Sequence, residues 1–252
     1  MDKVLQSILY SGSVVAKDGT NRPLGDHHIP EDEGDFLQKT IRDVQPQVSL
    51  EVGCAYGISS LYICEALRQV NATKHIIIDA YQHEIFDGIG LANLQRAGYN
   101  DLISFFETLS FKSLTYLTEE RTMIDFAFID GQHTFDHVLV DFFLIDKLLK
   151  PGGIVVLDDV SFPSIRSVCR YVLLNLRYKC VGPASRISAL QKLASRLSAN
   201  TPLRRIVKPS ISVPDGRLNL PNARYAALQK LDDDVIGEGA GATRDYKTHR
   251  QF

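Results

Sequence analysis

This sequence predicts an α/β protein with a doubly wound, mainly parallel sheet, and three observations carry the prediction. From residue 47 onward, short apolar runs alternate with longer stretches of helical periodicity. The runs are apolar on consecutive residues, as in strands covered on both faces, and they tend to end on an acidic residue. The 252 residues suffice for one sizeable core, and 44% hydrophobic with 23% charged residues excludes collagen, coiled coil and wholesale disorder.

The opening VLQSILY is apolar at positions 4, 5, 8 and 9, which is helical spacing; Gly12, Gly19, Pro23, Gly25 and Pro30 then mark an irregular lead-in. A second helix is signalled by the acidic first turn Glu31, Asp32, Glu33, by Phe36, Leu37, Ile41 and Val44, and by Pro46 just beyond. Strands follow at 47–52, 74–79, 102–107, 123–130 and 153–159, with helices at 57–70, 84–97, 110–120 and 134–150 between them. In the last helix Phe135, Val138, Leu139, Phe142, Ile145, Leu148 and Leu149 form one apolar face, and Pro151-Gly152-Gly153 stops it. Such repeated βαβ units give parallel neighbours with right-handed crossovers. Past Pro163 a helix carries Ile165, Val168, Val172 and Leu176, and strands are expected at 178–182 and 223–231. The basic segment 184–220, with one helix expected near 185–199, reads as an insertion or lid.

Four cysteines at 54, 64, 169 and 180 match no zinc spacing and are expected to be buried, reduced thiols. No window is long and apolar enough for a membrane span, and the N-terminus is unlike a secretory leader, so a cytoplasmic protein with no membrane partner is expected. The formal net charge of −2 hides an asymmetry: residues 1–160 carry 12 Lys+Arg against 24 Asp+Glu, whereas residues 161–230 carry 13 against the single Asp215. The basic stretch suits the acidic part of the same chain, an acidic partner subunit or an anionic substrate.

In open α/β sheets, ligands bind beyond the carboxyl ends of the strands. Four strand ends here are acidic: Glu51, Asp79, Asp130 and the pair Asp158-Asp159. The loop Glu51-Val52-Gly53-Cys54-Ala55-Tyr56-Gly57 runs straight into a helix, and its spacing, E-x-G-x-x-x-G, is neither the dinucleotide fingerprint nor a P-loop. An acid ahead of such a loop suits an ammonium group and repels phosphate, while Asp79 stands where a carboxylate accepts from a ribose diol. Asp130, Asp158 and Asp159 can hold a hard divalent cation through oxygens, which would relieve their mutual repulsion; the alternative is that Asp159 caps the helix near Pro163. His133 is placed either to deprotonate a substrate hydroxyl or simply to cap a helix start.

The segments LEVGCAYGISSLYICEAL, IIIDAYQ, FAFIDGQHTFDHVLVDFFLIDKLLKPGGIVVLDDV and the closing hydrophobic strand resemble a class I S-adenosylmethionine-dependent methyltransferase. The likeness is greatest to the branch of metal-dependent O-methyltransferases acting on sugars and natural products, over residues 28–182 and again near 223. The resemblance implies a Rossmann-like seven-stranded, mostly parallel sheet with helices on both faces and the last strand antiparallel. It implies an N-terminal lead-in, residues 1–45, folded over the cofactor, and a methyltransferase domain at 46–252 with the basic insertion. His28 lies in that lead-in. Glu51, Gly53 and Gly57 would surround the methionine part of S-adenosyl-L-methionine, with Ala55, Tyr56 and Ser59 in the same loop and helix start. Asp79 would hold the ribose hydroxyls, Leu109 and Ser110 would border the adenine, and Ala80, Gln82 and Asp130 would complete the cofactor site, with Tyr81 a contributor or mere wall. Asp130, Asp158 and Asp159 would bind Mg²⁺ or another divalent cation, and His133 with Asp130 would be catalytic.

The expected function is therefore methyl transfer from S-adenosyl-L-methionine to a hydroxyl of a small molecule, with divalent-metal assistance. Alternatives are an RNA or nucleotide methyltransferase, suggested by the basic stretch but lacking an aromatic-interleaved basic motif, and a non-catalytic S-adenosylmethionine-binding protein. Leu190, Leu193 and Leu197, on one helix face, suggest a homodimer contact or packing on the same chain.

Overall fold

The structure, a computed structural model, describes residues 1–183 and 214–232. The described residues form two compact units, residues 1–132 with 137–149, and residues 133–136 with 150–183 and 214–232.

In the larger unit, α1 (Lys3–Ser11) is capped at its start by Asp2, whose carboxylate accepts from the amides of Val4 and Leu5, and at its end by left-handed Gly12. The lead-in that follows holds a short hairpin, β1 (Ser13–Val15) with β2 (Asn21–Pro23), where the sequence suggested only loop. Runs of three residues are too short to show strand periodicity. Next come α2 (Glu31–Val44), β3 (Val48–Val52), α3 (Ile58–Gln69), β4 (Lys74–Ile78), α4 (Ile89–Arg96), β5 (Ile103–Phe106), α5 (Ser110–Glu119), β6 (Ile124–Ile129) and α6 (Phe135–Leu148). Strands β5, β4, β3 and β6 lie side by side in that order, all parallel. Their consecutive apolar residues are buried as expected: Leu50, Ile76, Ile77, Phe126 and Phe128 are all fully inaccessible.

One helix starts late. The expected helix at 84–97 begins only at Ile89, because Asp87 and Gly88 both take positive φ (52° and 67°) and residues 81–88 form turns instead. Acidic and apolar residues at helical spacing concealed that break.

The smaller unit contains β7 (Leu149–Leu157), α7 (Pro163–Asn175), β8 (Tyr178–Gly182), the short α8 (Asp215–Leu218) and β9 (Ala226–Lys230). Here β9 runs antiparallel to both of its neighbours, β7 and β8. Together the strands make the seven-stranded, mostly parallel sheet with an antiparallel last strand. The expected helix at 185–199, Leu190, Leu193, Leu197 and most of the basic insertion lie outside the described residues. Several basic residues of this half that are described are matched internally: Arg166 and Arg170 both pair with Asp215, and Arg177 with Asp232. The cysteines are unpaired thiols, as expected, three of them buried. Among the described residues, no helix is long and apolar enough to cross a membrane.

Phe128→Ala is expected to cost about 3–5 kcal/mol in urea unfolding, because it empties a fully buried volume. Tyr10→Ala, at a side chain 95% exposed, should change stability by less than about 0.5 kcal/mol.

Candidate active site

The β3–α3 loop is built by glycines where no other residue fits. Gly53 has φ +92°, and a Cβ there would sit 2.1 Å from the carbonyl oxygen of Asp130. The backbone closes on both sides, with Gly53 N–H donating to Ile78 O and Asp130 N–H donating to Val52 O, each at 2.9 Å. Gly57, at φ +81°, starts α3 without a side-chain cap, so the first amides of this 12-residue helix have no capping side chain.

Asp79 locks this loop from the neighbouring strand. Its Oδ2 accepts from the amides of Cys54 (3.0 Å) and Ala55 (2.9 Å), and its Oδ1 accepts from the amide of Tyr81 (2.9 Å). Gln82 reinforces the lock: its Nε2 donates to Ala55 O and its Oε1 accepts from Gly90 N–H. Beneath the loop, Glu51 is fully buried and accepts from the hydroxyls of Ser59 and Ser60, both at 2.5 Å. Its Oε2 also meets His75 Nε2 at 3.2 Å, while His75 Nδ1 pairs with the Ser49 hydroxyl at 2.9 Å. With Nε2–H donating to the carboxylate, Nδ1 is the acceptor for Ser49.

Glu51, Ser59 and Gln82 are 0%, 6% and 0% exposed, and through these contacts they brace the loop. Gly53, Ala55, Ala80, Ser110 and Asp130 are partly accessible, and Tyr56 is buried with its carbonyl accepting from Asn93 Nδ2. Tyr81 and Leu109 are large apolar side chains left exposed directly after β4 and before α5. The lead-in reaches the same loop through His27, whose ring meets Tyr56 and Phe86 edge-on at 6.0 and 5.7 Å. Nearby in sequence, Nδ1 of His28 is buried with no hydrogen-bond partner among the described residues.

Sequence reasoning missed Ser60, His75 and Asp141. The first two read as ordinary helix and strand residues. Asp141, on α6, is buried beside Ser110, which donates a hydrogen bond to it; burial nevertheless pushes its carboxyl up to about 6, with that hydrogen bond and His137 opposing.

In the smaller unit, His133 Nδ1 lies 3.0 Å from Asp159 Oδ2, and the ring packs near Phe162 at 5.9 Å. Asp159 does not cap α7: the cap residue is Phe162, which has no side-chain capping bond, and Asp159 adopts φ +51°. Asp158, 1% exposed, is clasped by Arg224, whose Nε and Nη2 donate to Oδ1 and Oδ2 at 2.9 Å each. Arg224 Nε also lies 3.4 Å from Asp159 Oδ1. Burial and the adjacent Asp158 raise the Asp159 carboxyl above its ordinary value, against Arg224 and His133. No group of three or more His, Cys, Asp or Glu side chains among the described residues is arranged to hold a metal ion. Arg224, remote in sequence and in a segment read only as strand, gave no signal.

Two outcomes follow from this geometry. Because the folded Asp141 holds its proton more tightly than the unfolded chain does, stability is lost as pH rises from about 4 to about 6. Asp141→Asn should remove that slope, raising the urea midpoint at pH 7.5 by the equivalent of up to about 3 kcal/mol, and leave stability at pH 4 nearly unchanged. Gly53→Ala combines a left-handed backbone with a backbone clash, and should either fail to fold or melt many degrees lower in calorimetry.

A family profile described as a methyltransferase domain matches residues 50–160. The chain is 31% identical over 138 residues to a caffeoyl-CoA O-methyltransferase of Populus kitakamiensis, covering 52% of this chain and 54% of the relative. It is 25% identical over 157 residues to catechol O-methyltransferase of Bos taurus, covering 61% and 56%. The chain thus spans about half the length of the curated relatives it matches. In fold it resembles an O-methyltransferase of Bacillus cereus solved with S-adenosylhomocysteine, with a TM-score of 0.57 and 22% identity over 72% of this chain and 83% of that one. Residues 50–160 are thus similar to a methyltransferase domain, and the fold is like that of a solved O-methyltransferase.

Proposed function

We propose that this chain is an S-adenosyl-L-methionine-dependent O-methyltransferase acting on a hydroxyl of a small molecule of the sugar or natural-product type. The observation that carries the reading is the Gly53–Gly57 loop fastened to the Asp79 carboxylate. The relatives named O-methyltransferases support oxygen as the acceptor atom.

The residues present fit the cofactor. A carboxylate oxygen has two acceptor positions, and Asp79 Oδ1 uses one on Tyr81 N–H, leaving a position for a ribose hydroxyl. The uncapped amides at the start of α3 suit the methionine carboxylate. Exposed Tyr81 and Leu109 offer apolar walls for adenine, with Ser110 beside them. The cofactor supplies a methyl group on a sulfonium centre, open to in-line displacement by an oxygen nucleophile. His133 is the base in this reading: Asp159 holds its Nδ1–H, which selects the tautomer whose Nε2 takes the hydroxyl proton. Asp130 frames the loop through its backbone amide and lies at the same strand-end level as Asp79 by sequence position.

The expected divalent cation fits less well. Asp158 Oδ1 already accepts from the Asp159 amide and from Arg224 Nε, which uses both its acceptor positions, and Asp159 is shared between His133 and Arg224. No step of this mechanism is routed through a metal. Four arginines of the basic half, Arg166, Arg170, Arg177 and Arg224, are each matched by a carboxylate, which favours a small-molecule acceptor over a nucleic-acid one in this reading.

Calorimetric titration of S-adenosylhomocysteine into the purified chain should show saturable one-to-one binding. Asp79→Asn should weaken it at least about tenfold, as expected for losing a charged hydrogen-bond acceptor. Absence of binding to the unaltered chain would sink the proposal.

A further inference from the structure

Asp158 is a carboxylate at 1% exposure, and a charge so placed persists only if something compensates it. In the metal-dependent branch that the sequence resembles, a divalent cation would do so. Here the compensation comes from the chain. The Arg224 guanidinium meets Asp158 through two parallel hydrogen bonds of 2.9 Å, the fork arrangement that gives a charge-assisted pair both strength and fixed geometry. Its Nε reaches Asp159 as well, and Asp159 in turn holds His133 Nδ1.

The guanidinium is not a loose surface charge that swung inward. The carbonyl of Arg224 accepts a hydrogen bond from the amide of Val160, the residue directly after the acidic pair, and Arg224 stands two residues before β9. The Asp158 side chain is anchored by its own turn as well, since Oδ1, which accepts from Arg224 Nε, also accepts from the Asp159 amide at 2.5 Å. A divalent cation at this pair would have to displace the guanidinium or sit beside it, and like charges a few ångströms apart repel.

We infer that Arg224 is a built-in cation at the Asp158–Asp159 pair: it takes the place of a divalent metal there and, through Asp159, positions His133. This rests on the methyltransferase reading for its catalytic meaning, but the cation exchange it describes is testable without any methyl acceptor. By this inference the chain belongs to a metal-independent mode of O-methyl transfer, and Arg224 is a positioning residue whose loss creates a metal site.

The experiment is Mn²⁺ titration of the full chain, followed by calorimetry and by the electron paramagnetic resonance signal of free Mn²⁺. The unaltered chain should show no saturable binding up to about 1 mM, and its melting temperature should be unmoved by Mg²⁺ or EDTA. Arg224→Ala should bind Mn²⁺ at least about tenfold more tightly than the unaltered chain, and adding Asp158→Asn should abolish the gain. Two results would overturn the inference: Mn²⁺ binding to the unaltered chain that Asp158→Asn removes, or an Arg224→Ala chain that is folded and gains no binding. S-adenosylhomocysteine titrated into the same samples reports folding of the cofactor site and tests the methyltransferase reading separately. If Arg224→Ala does not fold, the decision falls to the unaltered chain, where a melting temperature raised by Mg²⁺ and restored by EDTA overturns the inference and an unchanged one upholds it.

Discussion

The carboxylate of Asp79 is the constraint on which the site depends. It stands at the end of one strand and accepts from two consecutive amides in the loop that leaves the neighbouring strand, Cys54 and Ala55, and from Tyr81 in its own turn. Those amides are donors that no helix or strand would otherwise satisfy, and a nearly buried carboxylate needs such donors. One side chain therefore fixes both the path of the glycine loop and the direction in which its next turn departs. The requirement for glycine at position 53 follows from the same closure, since the loop passes so near the Asp130 carbonyl that a methyl group does not fit.

Below that lock lies a second polar layer in which Ser49, His75, Glu51, Ser59 and Ser60 satisfy one another in full burial. A half-satisfied network of this kind would cost more than an apolar core, so its completeness ties β3, β4 and the first turn of α3 into a single rigid support. The loop above is then held in place before any ligand arrives, and binding need not spend free energy on ordering it.

Charge compensation in the smaller unit follows a similar logic with opposite means. The larger unit satisfies Asp79 with neutral backbone dipoles, whereas Asp158 and Asp159 are met by a guanidinium and an imidazole. Dipoles leave the carboxylate charge in place for a hydroxyl donor. A fixed cation neutralises it and holds the imidazole in one orientation, which is what a base requires.

Much of the architecture was legible in the sequence because it is written in local terms. Consecutive apolar residues gave the buried strands, helical periodicity gave α2, α3, α5, α6 and α7, and the acids with the Gly53–Gly57 spacing marked strand ends and the turn into α3. Local terms also set the limits. The late start of α4 depends on two left-handed residues that periodicity does not register, and the three-residue strands β1 and β2 are too short to carry a period. What each acidic residue does was decided by tertiary structure. Glu51 is a buried brace of the loop, because His75 arrives from the next strand to meet it. Asp158 is half of an ion pair, because the antiparallel last strand begins beside it and delivers Arg224 from 66 residues away. A carboxylate's sequence position fixes the rim it stands on, but its charge is governed by the few ångströms around it, and only the folded chain determines what fills them.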